Sequence, residues 1–237
     1  MKLKGKTAVI TGASRGLGRQ LALVFAGRGA RLLLLARNSE QLAEVAEQAR
    51  GQGVTCEAIV CDLADSSAIA AAAERIHDRG GVDVLVNNAG IGSYKPFLEH
   101  SLAEHDAIID ANLRGVVHLT QHLLPGMLER GSGHIVSIAS DLATRSIPNM
   151  VVYSATKFAL RGFSLGLATE VKARGVKVSL INPGVIDTCF NGAIEGSQDA
   201  FGALQPDQLA ALIVSVIEQP GAQMIDELTV HPQGQEY

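Results

Sequence analysis

Tyr153-Ser154-Ala155-Thr156-Lys157 sets a phenol and an ammonium four residues apart, and Ser140 stands thirteen residues upstream. On a helix, positions i and i+4 share one face, so the two side chains meet. A free phenol titrates near about pH 10 and trades protons poorly at neutral pH unless a nearby cation favours its ionised form. The pair therefore suits acid–base work on an oxygen atom. The same spacing also occurs on ordinary helix surfaces, so its meaning depends on the rest of the chain.

The N-terminal region supplies a second site. Residues 6–11 read as a short buried strand, followed at once by Gly12-Ala13-Ser14-Arg15-Gly16-Leu17-Gly18 and by a helical pattern at Leu17, Leu21, Val24 and Phe25. Glycines let a backbone approach an anion closely, and the free N–H groups of a helix's first turn point at it. The spacing G-x-x-x-G-x-G is wider in its first gap than the G-x-G-x-x-G fingerprint. Arg19 and Gln20 after Gly18 do not match the G-x-x-x-x-G-K-[ST] loop of nucleoside triphosphatases. A tight turn that needs glycine only for positive φ is the alternative.

Together these motifs resemble the short-chain dehydrogenase/reductase family. Thr11 to Gly18 looks like its T-G-x-x-x-G-x-G loop, Asn87-Asn88-Ala89-Gly90 like its N-N-A-G, and Asn112, Ser140, Tyr153 and Lys157 like its catalytic tetrad. Pro183-Gly184-Val185-Ile186-Asp187-Thr188 looks like the P-G-x-x-x-T segment that closes over the nicotinamide. The resemblance runs from about Lys6 to the C-terminus.

It implies an oxidoreductase that moves a hydride between a nicotinamide and a carbonyl or alcohol carbon. Tyr153 would be the general acid or base and Ser140 would orient the carbonyl oxygen. Lys157 would acidify Tyr153 and hold the ribose, and Asn112 would shape a helix and extend the proton path. It also implies cofactor contacts from Gly12, Ser14, Arg15, Gly16, Leu17, Gly18, Asp62, Leu63, Asn88, Ala89, Gly90, Tyr153, Lys157, Pro183, Gly184, Ile186 and Thr188. For Asp62 a strand-end cap is the alternative.

The composition fits such a fold. Among 237 residues, 47% are hydrophobic but only 4% aromatic, with no Trp, so the core must be aliphatic. That suits parallel strands covered on both faces. A net charge of −4 gives no sign of a nucleic-acid or anionic-membrane partner. Cys56, Cys61 and Cys189 are odd in number and lack metal-ligand spacing, which points to reduced thiols in a cytoplasmic setting. Five N-terminal residues before the first strand leave no room for a signal peptide, and no apolar run approaches a membrane span.

Strand-like runs occur at 6–11, 31–36, 54–60, 82–88, 133–140 and 176–182, alternating with helical patterns at about 17–28, 39–52, 66–79, 103–130 and 152–174. A helix at about 206–219 and a last strand at 227–230 follow. Alternation of this kind predicts one doubly wound, Rossmann-type α/β domain over 1–237, with about seven parallel strands and helices on both faces. Ligands in such sheets sit beyond the carboxyl ends of the strands, which is where every motif above falls.

In NAD-preferring sheets an acid ends the second strand and accepts from the ribose 2′-hydroxyl. Here Arg37 and Asn38 occupy that end. Arg37 suits a 2′-phosphate, with Arg15 on its other side, so NADP(H) is expected over NAD(H). A solvated loop role for Arg37 is the alternative.

Segment 189–205, with Gly192, Gly196 and Gly202, reads as a lid. Tyr94, Asp141, Leu142, Ser146, Ile147, Met150 and Phe190 are candidates to line a pocket for a small or medium carbonyl or alcohol compound. His118 and His122 have helical spacing for a metal but no third ligand. The helices at 103–130 and 152–174 carry apolar stripes, among them Val116, Leu119, Leu123 and Leu124. Family members pair these helices between subunits, which implies a homodimer or homotetramer. Reduction of a 3-oxoacyl thioester, a pteridine side chain or a small ketone is the leading expectation, ahead of alcohol oxidation. A non-catalytic NADP(H) sensor is the competing class, with no use for Ser140, Tyr153 and Lys157.

Overall fold

A computed structural model describes residues 1–197, 202–220 and 223–235. Seven strands are β1 (Thr7–Thr11), β2 (Arg31–Ala36), β3 (Cys56–Val60), β4 (Val84–Asn87), β5 (Gly133–Ile138), β6 (Val176–Pro183) and β7 (Glu227–Val230). They form a parallel sheet in the order β3-β2-β1-β4-β5-β6-β7. Between them run α1 (Gly16–Gly27), α2 (Ser39–Arg50), α3 (Ser66–Asp78), α4 (Leu102–Ile109), α5 (Gly115–Glu129), α6 (Val151–Val171) and α7 (Pro206–Ile217). This is the Rossmann-type α/β architecture expected from the strand–helix alternation.

Successive residues of a strand serve opposite faces. Ala8 and Ile10 of β1 join Leu32 and Leu34 of β2 against Phe25, Leu42 and Ile213, on the side of α1, α2 and α7. Val9, Leu33 and Leu35 join Ile69, Leu119, Leu123 and Met127, on the side of α3 and α5. Both faces are covered, so the central strands β1 and β2 bury apolar residues on either side rather than alternating with polar ones.

The single helix expected over 103–130 is in fact two. A π turn at Asp110–Arg114 separates α4 from α5. The sheet-facing stripe of α5 accounts for Val116, Leu119 and Leu123, which are buried within this chain. Strand β5 also stops at Ile138, two residues short of Ser140, and the helix expected to 174 ends at Val171 before a short 3-10 turn. No helix among the described residues is long and apolar enough to cross a membrane.

Order at the strand ends is set by side chains. Asp65 caps α3 by accepting from the N–H groups of Ser67 (2.8 Å) and Ala68 (3.3 Å). Arg161 on α6 grips Glu227 of β7 with two parallel bonds of 2.7 and 2.9 Å, fixing the edge strand beside β6.

Candidate active site

Thr11 organises the floor of the site. Its hydroxyl accepts from the N–H groups of Asn88 (2.9 Å) and Ala89 (3.0 Å), and the Asn88 amide donates to the Thr11 carbonyl (2.9 Å). The chain leaving β4 is thereby stitched to the glycine loop leaving β1. Gly12 has φ +65° and Gly16 φ +52°, and a Cβ on Gly18 would lie 2.1 Å from the Gly12 carbonyl oxygen. Only glycines permit this fold-back.

Helix α1 starts at Gly16 behind an extended Arg15 with no side-chain cap and no acid in its first turn. Its leading N–H groups and positive dipole end thus face outward for an anion. Ser14 is half-buried, Leu17 is buried, and Thr188 closes in from β6, where a Cβ on Gly16 would meet its methyl at 3.2 Å. A dinucleotide pyrophosphate fits this cradle.

Arg37 follows β2 directly, and Arg15 and Arg37 are both exposed. Asp62 after β3 accepts from the Ala64 N–H (3.0 Å), closing the turn there. Leu63 beside it is buried, with its carbonyl 2.2 Å from where a Cβ on Gly115 would sit.

Tyr153 and Lys157 lie on one face of α6 and are 8% and 4% exposed. The Lys157 Nζ is 5.5 Å from the centre of the Tyr153 ring and donates to the Ile138 carbonyl (3.0 Å). Burial lowers the Lys157 ammonium to about 8. Burial also pushes the Tyr153 phenol up, opposed by a hydrogen bond with Ser140 and reinforced by the negative charge of Asp141. Desolvation of the phenol is the largest of these causes.

Ser140 heads a short 3-10 turn at Asp141–Ala143. Its hydroxyl donates to Asp141 Oδ1 (2.9 Å) and accepts from the Leu142 N–H (3.1 Å). Asn112, in the π turn, reaches across to the strap after β4: its Oδ1 accepts from the Ile91 N–H and its Nδ2 donates to the Ile91 carbonyl, each at 2.8 Å. Its Nδ2 also donates to Thr156 Oγ1 (3.2 Å) on α6. A widened turn is a common device for aiming a side chain at a site.

Beyond β6, Gly184 donates to the Val230 carbonyl (2.8 Å) and Ile186 forms a bridge with Leu204. Phe190 rests on Tyr153, ring centres 5.7 Å apart. With its amide oriented to satisfy both groups, Asn191 donates to the Gly92 carbonyl (3.0 Å) and accepts from the Tyr94 N–H (3.3 Å). Segment 189–197 thus lies across the site, beside a recess of about 290 Å³ lined by Arg15, Gly90, Ile91, Gly92 and Phe190. Part of the expected lid, 198–201, falls outside the described residues.

Leu142, Met150 and Tyr153 pack together with Ile147, while Ser146 and Tyr94 are exposed. His118 faces Ser66 (3.3 Å), and among the described residues no cluster of His, Cys, Asp and Glu could hold a metal. Sequence reasoning missed the partners of Asp141. Its Oδ2 pairs with Arg145, accepts from Gln235 Nε2 (2.7 Å) and lies 3.7 Å from His231 Nε2. Arg145 is four residues on, but nothing in the sequence ties Gln235 to Asp141.

The short chain dehydrogenase family model matches residues 6–199. An uncharacterized oxidoreductase of Staphylococcus saprophyticus is 32% identical over 98% of this chain and 99% of its own length. An alcohol dehydrogenase from Thermococcus sibiricus, complexed with 5-hydroxy-NADP, superposes with a TM-score of 0.93 at 31% identity, covering 99% of both chains. A 3-ketoacyl-(acyl-carrier-protein) reductase from Brucella melitensis, complexed with NADH, superposes at 0.88 with 31% identity over 98% of this chain and 99% of that one. With its parallel sheet, glycine cradle and Ser140–Tyr153–Lys157 cluster, the chain belongs to the short-chain dehydrogenase/reductase family of oxidoreductases.

Proposed function

We propose that this oxidoreductase reduces a carbonyl compound with NADPH and, in reverse, oxidises the corresponding secondary alcohol. The observation that carries this reading is the buried Tyr153–Lys157 pair on α6, the ammonium 5.5 Å from the centre of the phenol ring and Phe190 tilted against that ring, beside the strand ends that carry the glycine cradle. NADPH, when bound, supplies the hydride that forms the new C–H bond and leaves as NADP⁺. Tyr153 gives its phenolic proton to the carbonyl oxygen as the C=O π bond breaks, so one C–H and one O–H bond form. Ser140 orients that oxygen and offsets its developing charge. Lys157 sits close enough to stabilise the phenolate left behind.

The preference for NADP(H) rests on Arg37 and Arg15, because the cofactors named for the two solved relatives differ. An exposed guanidinium where other members of this fold carry an acid pairs with a 2′-phosphate. The same reading extends to assembly. Leu98, Leu102, Ile109 and Phe158 are exposed apolar residues around α4 and α6, and their burial against a second copy would give a homodimer or homotetramer. Buried Cys56 and Cys61, whose thiols burial raises to about 11, suit a reducing cytoplasmic compartment.

The test is a panel of small ketones, ketoses, 3-oxoacyl thioesters and pteridines, scored by loss of NADPH absorbance in wild type and Tyr153→Phe. At least one substrate should turn over in wild type, with the rate abolished in the variant while cofactor still binds. Retained turnover in Tyr153→Phe would refute the assigned role. Light scattering at micromolar protein gives the assembly state, with a monomer counting against the dimer.

A further inference from the structure

One side chain from the C-terminal segment ties together two segments of the site. Gln235 is half-buried; its Oε1 accepts from the Val185 N–H (2.9 Å) and its Nε2 donates to Asp141 Oδ2 (2.7 Å). Val185 belongs to the segment leaving β6, and Asp141 follows Ser140 beyond β5, the neighbouring strand. The bridge runs on from Asp141, whose Oδ1 accepts from the Ser140 hydroxyl (2.9 Å). A single amide thus links the chain beyond one strand to the serine beyond the next.

The seat of this amide is built from both sides. Gly184 donates to the Val230 carbonyl (2.8 Å), and the Gln235 N–H donates to the Pro232 carbonyl (3.1 Å), turning the C-terminal segment back on itself. A Cβ on Gly184 would lie 2.2 Å from Gln235 Oε1 and 3.0 Å from Pro232 Cδ. Gly184 is not among the glycines with positive φ, so what it supplies is room for Gln235 and not backbone freedom. At the other end Asp141 is 5% exposed, and its Oδ2 also pairs with Arg145. A side-chain amide carries a donor and an acceptor without charge, and here both are used.

We propose that Gln235 is a positioning residue: it fixes Ser140 against the Pro183–Thr188 segment, and so sets the carbonyl oxygen and the nicotinamide at the separation that hydride transfer needs. That role rests on the reading above, in which Ser140 orients the carbonyl and residues 183–188 cover the nicotinamide.

Charge around the amide comes from Asp141 and Arg145 on the Ser140 side and from His231, 3.7 Å from Asp141 Oδ2, in the C-terminal segment. On the β6 side Gln235 meets the backbone of Gly184 and Val185, while the Asp187 carboxylate accepts from the Gly196 N–H (2.8 Å).

Two variants test the role. Gln235→Met keeps the length and removes both hydrogen bonds. Gln235→Glu loses the donor when ionised and sets two carboxylates together, which raises the proton affinity of the pair. Once protonated, it offers an O–H to Asp141 and an oxygen to Val185, as the amide does. In Gln235→Met, NADP⁺ affinity by calorimetry should fall roughly threefold or more, because the segment covering the cofactor is no longer held in place. With an active carbonyl compound, kcat should fall about tenfold or more at little change in its KM. In Gln235→Glu both losses, taken relative to wild type at each pH, should shrink from about pH 8 to about pH 5.5, while those of Gln235→Met stay constant. A residue that only stabilised the fold would lower the urea midpoint of both variants and leave affinity and kcat of the folded protein unchanged. Wild-type affinity and kcat in Gln235→Met, or a pH-independent loss in Gln235→Glu, overturns the proposal. Where no carbonyl compound turns over, the NADP⁺ affinities decide, and where Gln235→Glu does not fold, Gln235→Met decides alone. Wild type that binds neither NADP⁺ nor NAD⁺ sinks the oxidoreductase reading and this role with it, whereas variants that match a binding wild type sink the role alone.

Discussion

Asn112 holds Ile91 from both sides, accepting its N–H and donating to its carbonyl at 2.8 Å each. The side-chain amide thereby stands in for a neighbouring strand, supplying a donor and an acceptor to a strap that has left the sheet. Because the same amide also reaches Thr156 on α6, it ties the strap to the helix that carries Tyr153 and Lys157.

Asn112→Ala leaves both backbone groups of Ile91 without a protein partner, and unsatisfied buried groups cost about 1–3 kcal/mol each. The variant should lose roughly 2–4 kcal/mol of stability, read as a lower urea midpoint at unchanged slope. Asn112→Asp keeps the acceptor but not the donor, and should recover little of the loss.

Arg37→Asp should reverse the cofactor preference. An acid at the end of β2 repels a 2′-phosphate and accepts from a 2′-hydroxyl. Hydrogen bonds to charged groups contribute about 1.5–3 kcal/mol, so KM for NADPH should rise by roughly tenfold or more while KM for NADH falls. An unchanged KM ratio would remove Arg37 from the cofactor site.

Lys157→Met should inactivate the protein yet stabilise it near pH 7. Burial depresses the Lys157 ammonium to about 8, below its unfolded value, so the native state holds the charged form at a cost in this range. As pH rises from about 8 toward about 10.4, the unfolded lysine binds more protons than the native one, and wild-type stability climbs. Thermal melts across that window should show the gap between variant and wild type narrowing. A constant gap would mean Lys157 is not desolvated.

His134 makes the opposite edge of the pH range informative. Its Nε2 lies 2.9 Å from Ser179 Oγ, whose own proton goes to the Ile225 carbonyl (2.6 Å), so the imidazole donates. Burial is the main cause lowering its pKa to about 3, below the unfolded value, so its contribution is present above about pH 6.5 and lost as pH falls toward about 3. His134→Gln should flatten the acid limb of the stability curve, which in wild type has a slope of about 1.4 kcal/mol per pH unit from this group. Equal slopes would show that carboxylates alone drive acid unfolding.

Much of the candidate site was legible because its signals are local. The glycine loop, the Tyr153–Lys157 spacing and the strand–helix alternation each depend on residues within a turn or a strand of one another. The split of 103–130 was hidden because α4 and α5 share one continuous helical pattern, and only the tertiary grip of Asn112 on Ile91 marks the π turn. The stripe Val116, Leu119, Leu123 identified burial but not its partner, which is this chain's own sheet. Likewise, Asp141 and Gln235 are 94 positions apart, and Phe190 meets Tyr153 only once β6 and α6 are side by side. The direction of the Tyr153 shift depends on how deeply the phenol is buried, which spacing does not encode.

The contact between Phe190 and Tyr153 has an optical consequence. The chain contains no Trp, so nothing in it emits in the indole band. Phe190→Trp would install the chain's single indole beside the Tyr153 ring, in an emission band that no other residue of the chain occupies. Its emission colour would report water reaching that spot, and its quenching by an absorbing nicotinamide would time, in one mixing experiment, the arrival of cofactor beside it.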